Sequence, residues 1–213
     1  MKCSKETMLL YAVTDRSWVG KQTLYEQVES ALKGGVTCVQ LREKELDQTA
    51  FLEEAVEMKK LCSKYGVPLI INDNVDVALK CGAGGVHVGQ SDMAAGNVRK
   101  AVGDKMIVGV SAQTIEQALA AQAAGADYLG VGAVFPTSTK SDAREVSRQT
   151  LKDICAAVDI PVTAIGGINK SNMAELSGTG IDGVALVSAI FAAQNIAEEC
   201  RLLKRLSAET ILK

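Results

Sequence analysis

Short apolar runs alternate with longer amphipathic stretches along the whole chain. The runs are rich in Val, Ile and Ala, and a short run of this kind is typical of a buried strand. The stretches between them have apolar positions on one face of a helix, so they predict helices. Strands are predicted at 8–14, 36–41, 68–72, 84–88, 106–110, 126–133, 161–165 and 181–187, and helices near 21–34, 48–65, 74–82, 91–102, 113–125, 147–158, 169–178 and 189–211.

Eight strands that alternate with eight helices predict an α/β fold, a closed (β/α)8 or TIM barrel. The continuous apolar stretches 67–71 and 160–165 suit a parallel sheet that is covered on both faces. An open doubly wound sheet is the main competitor. The count of eight, with no linker and no change in composition, favours closure. We therefore expect one domain over residues 1–213.

Composition narrows the class of protein. The chain has 213 residues, 47% hydrophobic and only 4% aromatic, so the core is expected to be aliphatic. Its six cysteines form no C-x-x-C pair, which favours reduced thiols in a cytoplasmic protein over a disulfide or zinc framework. A net charge of -2 argues against unspecific nucleic-acid binding. The chain lacks an apolar run of ~20 residues and a signal-peptide pattern, so no membrane partner is expected.

The run QLREK at 40–44 carries the clearest chemical signal. Alternate side chains of a strand share a face, so Gln40, Arg42 and Lys44 point one way and Leu41 the other. Unpaired buried charges are costly. The run is therefore interpreted as contacting a ligand that has negative charge and a hydrogen-bonding ring. Taken alone, it could also be a strand end that meets solvent.

Further polar residues follow the other predicted strands, at the end where barrel enzymes hold their sites. Asp73 and Asp92 follow neighbouring strands, so both could reach one Mg²⁺ together with substrate phosphate oxygens. The alternative is that each aspartate caps a helix. Asn72 and Ser111 end two of the strands. The polar groups therefore converge on one rim of the predicted barrel.

Two segments have the composition of phosphate sites. The loop 136–142 resembles a mobile lid whose hydroxyls and ammonium bind phosphate, although an ordinary solvated loop fits its composition equally. Gly166-Gly167 lets the backbone approach an anion, and Ser188 stands at a helix start, as in the phosphate sites that follow strands seven and eight of such barrels. The polar members of the lid are Thr137, Ser138, Thr139 and Lys140.

His87, the only histidine, lies inside a predicted strand. A hydrogen-bonded structural histidine is favoured there over a general base. Without a second histidine, a Ser-His-Asp or Cys-His mechanism has little support. Tyr11, near the end of the first strand, could stack on a heteroaromatic ring or belong to the barrel core.

Taken together and in order, these motifs resemble the thiamine-phosphate synthase family. The likeness runs nearly from end to end. It implies a transferase that condenses 4-amino-2-methyl-5-hydroxymethylpyrimidine diphosphate with a thiazole phosphate, or its 2-carboxylate. The products implied are thiamine phosphate and pyrophosphate, formed by a dissociative mechanism. The segments that carry the resemblance are 40–44, 72–73, 85–92, 109–111, 134–140, 164–168 and 187–188.

The resemblance also implies roles for individual residues. It places Arg42, Ser111 and Lys140 in catalysis, and one Mg²⁺ per subunit on Asp73 and Asp92. The other residues fall into two substrate sites. The pyrimidine diphosphate site comprises Gln40, Leu41, Arg42, Glu43, Lys44, Asn72, Ser111 and Lys140, and the thiazole phosphate site comprises Thr137, Ser138, Thr139, Gly167, Val187 and Ser188.

Three alternatives and two departures qualify this resemblance. A related thiazole tautomerase uses a histidine where this chain has Ala133. A phosphosugar isomerase barrel would share the last phosphate site, but it needs two opposed acid/base groups. A non-catalytic protein that binds thiamine precursors is separated from an enzyme only by turnover.

Asn74 stands where the family often has a charged residue, and 144–147 replaces a Pro/Gly-rich stretch. The oligomeric state stays open, with a homodimer among the alternatives.

Overall fold

Eight parallel strands close into a barrel in the computed structural model, which describes residues 3–90, 95–137 and 145–211. The strands follow one another around the barrel in sequence order, and the last pairs with the first. This confirms the predicted (β/α)8 fold, while the domain limits 1–213 stay a prediction. The strands are β1 (Leu10–Val13), β2 (Cys38–Leu41), β3 (Leu69–Asn72), β4 (Gly85–Val88), β5 (Ile107–Ala112), β6 (Tyr128–Val131), β7 (Val162–Ile165) and β8 (Gly183–Leu186).

Helices surround the barrel, and most of them begin at a side-chain cap. At the start of α2, for example, Thr23 and Glu26 form a capping box. Within the described ranges, no helix is both long and apolar enough to cross a bilayer. The helices are α1 (Lys5–Met8), α2 (Leu24–Lys33), α3 (Gln48–Lys64), α4 (Val75–Cys81), α5 (Ala95–Val102), α6 (Ile115–Ala123), α7 (Arg148–Ala157), α8 (Ser188–Phe191) and α9 (Ile196–Ile211).

Two predicted helices differ from the observed ones. The stretch 169–178 forms only a 3-10 turn, Met173–Leu176, because the Asn169 side chain accepts from the Ser171 N–H and holds a tight turn instead. The predicted last helix is divided into α8 and α9. Asn195 accepts a hydrogen bond from the Glu198 N–H, which is the geometry of a new helix start.

The pleat of each strand divides the apolar residues into two cores. On β2, Val39 and Leu41 point outward and pack against the helices, whereas Gln40 points into the barrel. This confirms the predicted faces of β2. The larger outer core lies between the strands and the helices. The inner core contains Met8, Tyr11, Val13, Cys38, Ile70, Ile107, Tyr128 and Ala185.

All six cysteine thiols are free, as the sequence predicted. Cys38, Cys62 and Cys200 are buried. Burial raises the pKa of the Cys62 and Cys200 thiols to about 12, so they stay protonated at neutral pH. These side chains therefore act as small apolar groups in the core.

Two tyrosines fill the middle of the barrel, and a glycine on a neighbouring strand makes room for one of them. Tyr11 and Tyr128 are 2% and 0% exposed, and their rings meet edge to face at 5.9 Å. Gly109 on β5 pairs with Tyr128 on β6, and a Cβ at Gly109 would overlap the Tyr128 ring. The missing side chain of Gly109 is therefore part of the packing.

Gly109→Ala tests this packing. Since the added methyl group would displace the Tyr128 ring, we expect a loss of about 1–3 kcal/mol, typical of overpacking. For a chain of this length that lowers the melting temperature by about 2–4 °C per kcal/mol. The control is Gly20→Ala, where the added Cβ meets no atom within 4 Å among the described residues. Equal melting temperatures for the two variants would contradict the packing role of Gly109.

Candidate active site

The predicted site residues gather at the carboxyl end of the barrel, because all eight strands run in the same direction. Arg42 and Lys44 follow β2, Asp73 follows β3, and Val187 and Ser188 follow β8. Ser111 lies on β5, and Gly167 follows β7. Four predicted site residues lie outside the described ranges, namely Asp92, Ser138, Thr139 and Lys140.

Asp73 joins the residues that follow β2 and β3. Its Oδ2 accepts from Lys44 Nζ at 3.1 Å and from Asn72 Nδ2 at 2.6 Å. Its backbone has φ +62°, a left-handed conformation that Asp and Asn tolerate better than most residues. Among the described residues, Asp73 Oδ1 accepts no hydrogen bond. One carboxylate oxygen is thus left for a further ligand.

Asn74, and not Asp73, caps the helix that follows. The Asn74 side-chain oxygen accepts from the Val77 N–H at 3.0 Å, and its amide donates to Gln48 at 2.9 Å. The helix-cap alternative for Asp73 is therefore wrong. Asn74, the departure noted in the sequence, has a structural role at this position. A cavity of about 290 Å³ lies beside Lys44, Asp73 and Asn74.

Arg42 is held by the residues that follow β1. Arg42 Nη1 lies 3.1 Å from Asp15 Oδ2, and the Arg42 N–H donates to Thr14 Oγ1 at 3.0 Å. The Arg42 side chain is 25% exposed, so it remains accessible. Asp15 was missed in the sequence. The rule that located Asp73, a polar residue just after a strand, would have found it.

The side chains of Leu41 and Glu43 are turned away from the barrel mouth, although the sequence predicts both residues in the pyrimidine diphosphate site. Leu41 is fully buried in the outer core. The Glu43 side chain is 1% exposed, and its Oε2 accepts from Arg16 Nε at 2.9 Å. Successive side chains of an extended segment point to opposite faces. The side chains of Leu41 and Glu43 therefore face the surrounding helices, whereas Gln40 faces the barrel interior.

Arg16 also binds a second, partly buried carboxylate, Glu54 on α3, at 2.7 Å. Two oxygen atoms of these carboxyl groups, Glu43 Oε1 and Glu54 Oε2, are buried and have no hydrogen-bond partner within the described residues. Burial, with the nearby charge of Glu43, raises the pKa of Glu54, and the opposing effect of Arg16 does not cancel that rise. We expect a proton on Glu54 that is shared with Glu43 through a hydrogen bond, which would satisfy both oxygens.

A buried hydrogen-bond chain crosses the barrel interior beneath the mouth. Gln40 Nε2 donates to the Tyr11 hydroxyl at 2.7 Å, which lies 2.8 Å from the Tyr128 hydroxyl. That hydroxyl lies 2.9 Å from His87 Nδ1, and His87 Nε2 lies 3.0 Å from Ser111 Oγ. Burial raises the pKa of both tyrosines well above their usual range, so both stay protonated. His87 is a hydrogen-bonded interior residue, as predicted, and Tyr11 belongs to the core.

Gly166 and Gly167 form the rim after β7. Their φ angles are +98° and +67°, and a Cβ on Gly167 would meet Phe135 and the Pro136 carbonyl. The Phe135 N–H donates to the Gly166 carbonyl at 3.1 Å. The two glycines therefore hold the start of the predicted lid close to this rim. Val187 precedes α8, which begins at Ser188, so both lie at the neighbouring strand end.

Comparisons with known proteins agree over nearly the whole chain. A family model described as thiamine monophosphate synthase matches residues 10–190. Thiamine-phosphate synthase of Clostridium acetobutylicum is 50% identical over 194 residues, covering 91% of this chain and 92% of that protein. The same enzyme of Ruminiclostridium cellulolyticum is 53% identical over 193 residues, covering 91% and 92%. The structure of thiamine phosphate pyrophosphorylase from Pyrococcus furiosus has a TM-score of 0.89 at 37% identity, covering 97% of this chain and 98% of that one.

Glu54→Gln tests the shared proton. The raised pKa of Glu54 means that its contribution to stability is complete below the unfolded value of about 4.3 and is lost as pH rises through the folded pKa. The glutamine amide can donate to Glu43 and accept from Arg16 at any pH. We expect the melting temperature of the variant to rise relative to the wild type between pH 5 and pH 8.

The control is Glu53→Gln, which removes an exposed carboxylate from the same helix. Its melting temperature should keep a constant difference from the wild type over this pH range. If Glu54→Gln behaved in the same way, Glu43 and Glu54 would not share a proton.

Proposed function

Because this chain belongs to the thiamine monophosphate synthase family, we propose that it condenses a pyrimidine diphosphate with a thiazole phosphate to give thiamine phosphate and pyrophosphate. The substrates are 4-amino-2-methyl-5-hydroxymethylpyrimidine diphosphate and 4-methyl-5-(2-phosphoethyl)thiazole or its 2-carboxylate. The observation that carries the proposal is the group of Arg42, Lys44 and Asp73 at one rim of a barrel with this family likeness. It supplies cations for a diphosphate and a carboxylate for a metal.

The diphosphate binds between the strand ends of β2, β3 and β5. Arg42 and Lys44 neutralise its charge, and Lys140 adds a third cation from the lid. Ser111 donates to an oxygen of the same group. As the bond breaks, negative charge grows on the leaving oxygen, and preorganised donors stabilise that charge more than they stabilise the bound substrate. Arg42, Ser111 and Lys140 are therefore the proposed catalytic residues.

Asp73 and Asp92 would hold one Mg²⁺ on the diphosphate. Asp73 fits this role, since it is a carboxylate at the rim whose Oδ1 accepts no hydrogen bond among the described residues. When bound, the ion supplies positive charge that neutralises the departing diphosphate. Lys44 lies beside the same carboxylate, so the cation and the metal ligand reach the same group of phosphate oxygens.

Gln40 and Asn72 bind the pyrimidine ring. The Gln40 amide nitrogen already donates to Tyr11, and among the described residues its oxygen accepts no hydrogen bond. That oxygen is available to the amino group of the ring. The Asn72 amide donates to Asp73, which fixes its orientation at the end of β3. The ring and the diphosphate are thereby held over neighbouring strand ends.

The reaction proceeds by dissociation. The bond between the exocyclic carbon and the diphosphate oxygen breaks, and its electron pair leaves with the diphosphate. The ring amino group stabilises the resulting pyrimidinylmethyl cation. The thiazole nitrogen then donates its lone pair to the same carbon, forming the new C–N bond. No general base is needed for these steps, which agrees with a chain whose one histidine lies within the barrel.

The thiazole phosphate binds at the ends of β6, β7 and β8. Gly167, Val187 and Ser188 lie at this end of the barrel. We assign Thr137, Ser138 and Thr139 of the predicted lid to the same phosphate, and of these three the structure describes Thr137. Closure of the lid would exclude water, which could otherwise capture the cation. The position before Val134 is Ala133, so the histidine of a tautomerase has no counterpart here.

We also propose that the enzyme acts in the cytoplasm on these phosphorylated small molecules. The free thiols, three of which are buried, support a reducing compartment. Every residue assigned above comes from one chain, so the proposal holds for a monomer and for a homodimer alike.

The direct test of the proposed function is turnover. We expect the purified protein, mixed with both substrates and Mg²⁺, to form thiamine phosphate and pyrophosphate in equal amounts. Omission of either substrate or of Mg²⁺ should stop the reaction, because charge on the leaving diphosphate would be left without its counterion. Products are followed by chromatography. Isomerisation of the thiazole alone, without condensation, would contradict the proposal and favour a tautomerase.

Asp73→Asn tests the metal ligand. The side chain keeps its size and its tolerance of a left-handed backbone, but it loses its charge. We expect kcat to fall about a hundredfold to a thousandfold, as when one preorganised electrostatic contact is removed, and the Mg²⁺ concentration at half-maximal rate to rise. Because Asn74 caps α4, the melting temperature should change little.

Asp76→Asn is the matched control. Asp76 lies in the first turn of α4 and pairs with Lys80 on the surface. Its loss should leave both the rate and the metal dependence unchanged. An Asp73→Asn variant with the metal dependence of the wild type would remove Asp73 from the metal site.

A further inference from the structure

The five side chains of the interior chain come from five different strands. They are Gln40, Tyr11, Tyr128, His87 and Ser111, joined at 2.7, 2.8, 2.9 and 3.0 Å. Both ends of this chain belong to the proposed pyrimidine diphosphate site, whereas the three middle residues are buried below it. The middle residues therefore connect two groups that would contact the same substrate.

The Gln40 amide fixes the direction of the first hydrogen bond in this series and favours one direction for the rest. An amide nitrogen can only donate, so the Tyr11 oxygen accepts from Gln40, and the hydrogen of Tyr11 is left to donate to Tyr128, 2.8 Å away. The Tyr128 hydrogen then goes to His87 Nδ1, which has to be without a hydrogen to accept it. Because both phenols stay protonated, neither can reverse this order by ionising.

The direction decides the tautomer of His87. A neutral imidazole carries one hydrogen, and with Nδ1 accepting, that hydrogen lies on Nε2. Nε2 then donates to Ser111 Oγ, 3.0 Å away. Among the described residues, Ser111 Oγ has no second hydrogen-bond partner. Its own hydrogen is therefore free to point into the barrel mouth.

We infer that Tyr11, Tyr128 and His87 are positioning residues that hold Ser111 as a hydrogen-bond donor toward the leaving diphosphate. This inference rests on the proposed function for the identity of the acceptor. The opposite tautomer, with a bare Nε2, would take the Ser111 hydrogen and prepare the hydroxyl as a nucleophile. With Nε2 donating, Ser111 is instead polarised as a donor, and hydrogen bonds in series strengthen one another.

Gln40 has the complementary role at the other end. One amide hydrogen is committed to Tyr11, so the orientation of the side-chain oxygen is fixed as well. With the amide turned over, the Tyr11 hydroxyl would donate to the Gln40 oxygen, and the reverse direction would be favoured along the series. The same chain thus orients the group that would meet the ring and the group that would meet the diphosphate.

The tautomer of His87 can be measured directly, because the protein contains a single histidine. Two-bond ¹H–¹⁵N correlation spectra of the untagged, ¹⁵N-labelled protein at neutral pH give one imidazole pattern. We expect a protonated Nε2 and a bare Nδ1. A protonated Nδ1 would overturn the inference. This readout needs neither substrate nor activity, so it is independent of the proposed function.

A double-mutant cycle tests whether the chain acts through Ser111. Ser111→Ala should lower kcat about a hundredfold to a thousandfold. Tyr128→Phe removes only the hydroxyl that donates to His87, and we expect kcat to fall about tenfold, with little change in KM, because one hydrogen bond of the order of 1.4 kcal/mol is lost. In the Ser111→Ala background, Tyr128→Phe should have less than about a twofold further effect.

Tyr65→Phe is the control, since Tyr65 lies on the surface at the end of α3. It should leave kcat unchanged. Tyr128→Phe should also change the imidazole pattern toward a mixture of tautomers, whereas Tyr65→Phe should not. Additive losses in the cycle would mean that Tyr128 supports only the fold, and that result would overturn the positioning role. The protein could show the expected tautomer and the expected non-additive losses with a different diphosphate substrate. That result would refute the proposed substrates and leave the positioning role intact.

Discussion

The interior of the barrel has to be filled by side chains from eight short strands, and the rest of the structure depends on how this chain fills it. Two tyrosines occupy the middle, and Gly109 leaves the space for one of them. A buried phenol needs a hydrogen-bond partner, because an unsatisfied hydroxyl costs about 1–3 kcal/mol. Satisfying the hydroxyls of Tyr11 and Tyr128 brings in Gln40 and His87. The packing of the core thereby orients side chains at the mouth.

The charged residues at the mouth are held before any ligand binds. Arg42 pairs with Asp15, and Lys44 pairs with Asp73. Both cations follow β2, whereas Asp15 follows β1 and Asp73 follows β3. The two ion pairs therefore join the ends of neighbouring strands. Such an arrangement would reduce the reorganisation needed for the proposed binding of a diphosphate, which is the general benefit of preorganised electrostatics.

The segment after β2 serves two purposes with alternating residues. Arg42 and Lys44 face the mouth, while Glu43 between them is buried against Arg16. A buried carboxylate whose charge is partly compensated by an arginine is costly to displace. The buried Glu43 therefore anchors the backbone that carries the two cations.

By itself, the sequence determined the eight strands, their order and the rim on which residues such as Arg42, Asp73 and Ser188 lie. The hydrophobic repeat of a strand or a helix can be read from neighbouring residues. In a closed parallel barrel the carboxyl ends of all strands lie on one rim. Only the tertiary structure decided that Asp15 holds Arg42, that Glu43 is buried and that Tyr11 meets Tyr128. Those two tyrosines are 117 positions apart, and no local period relates such residues before the barrel closes. The break at Asn195 also escaped prediction, because an apolar period continues across a capped restart of the helix.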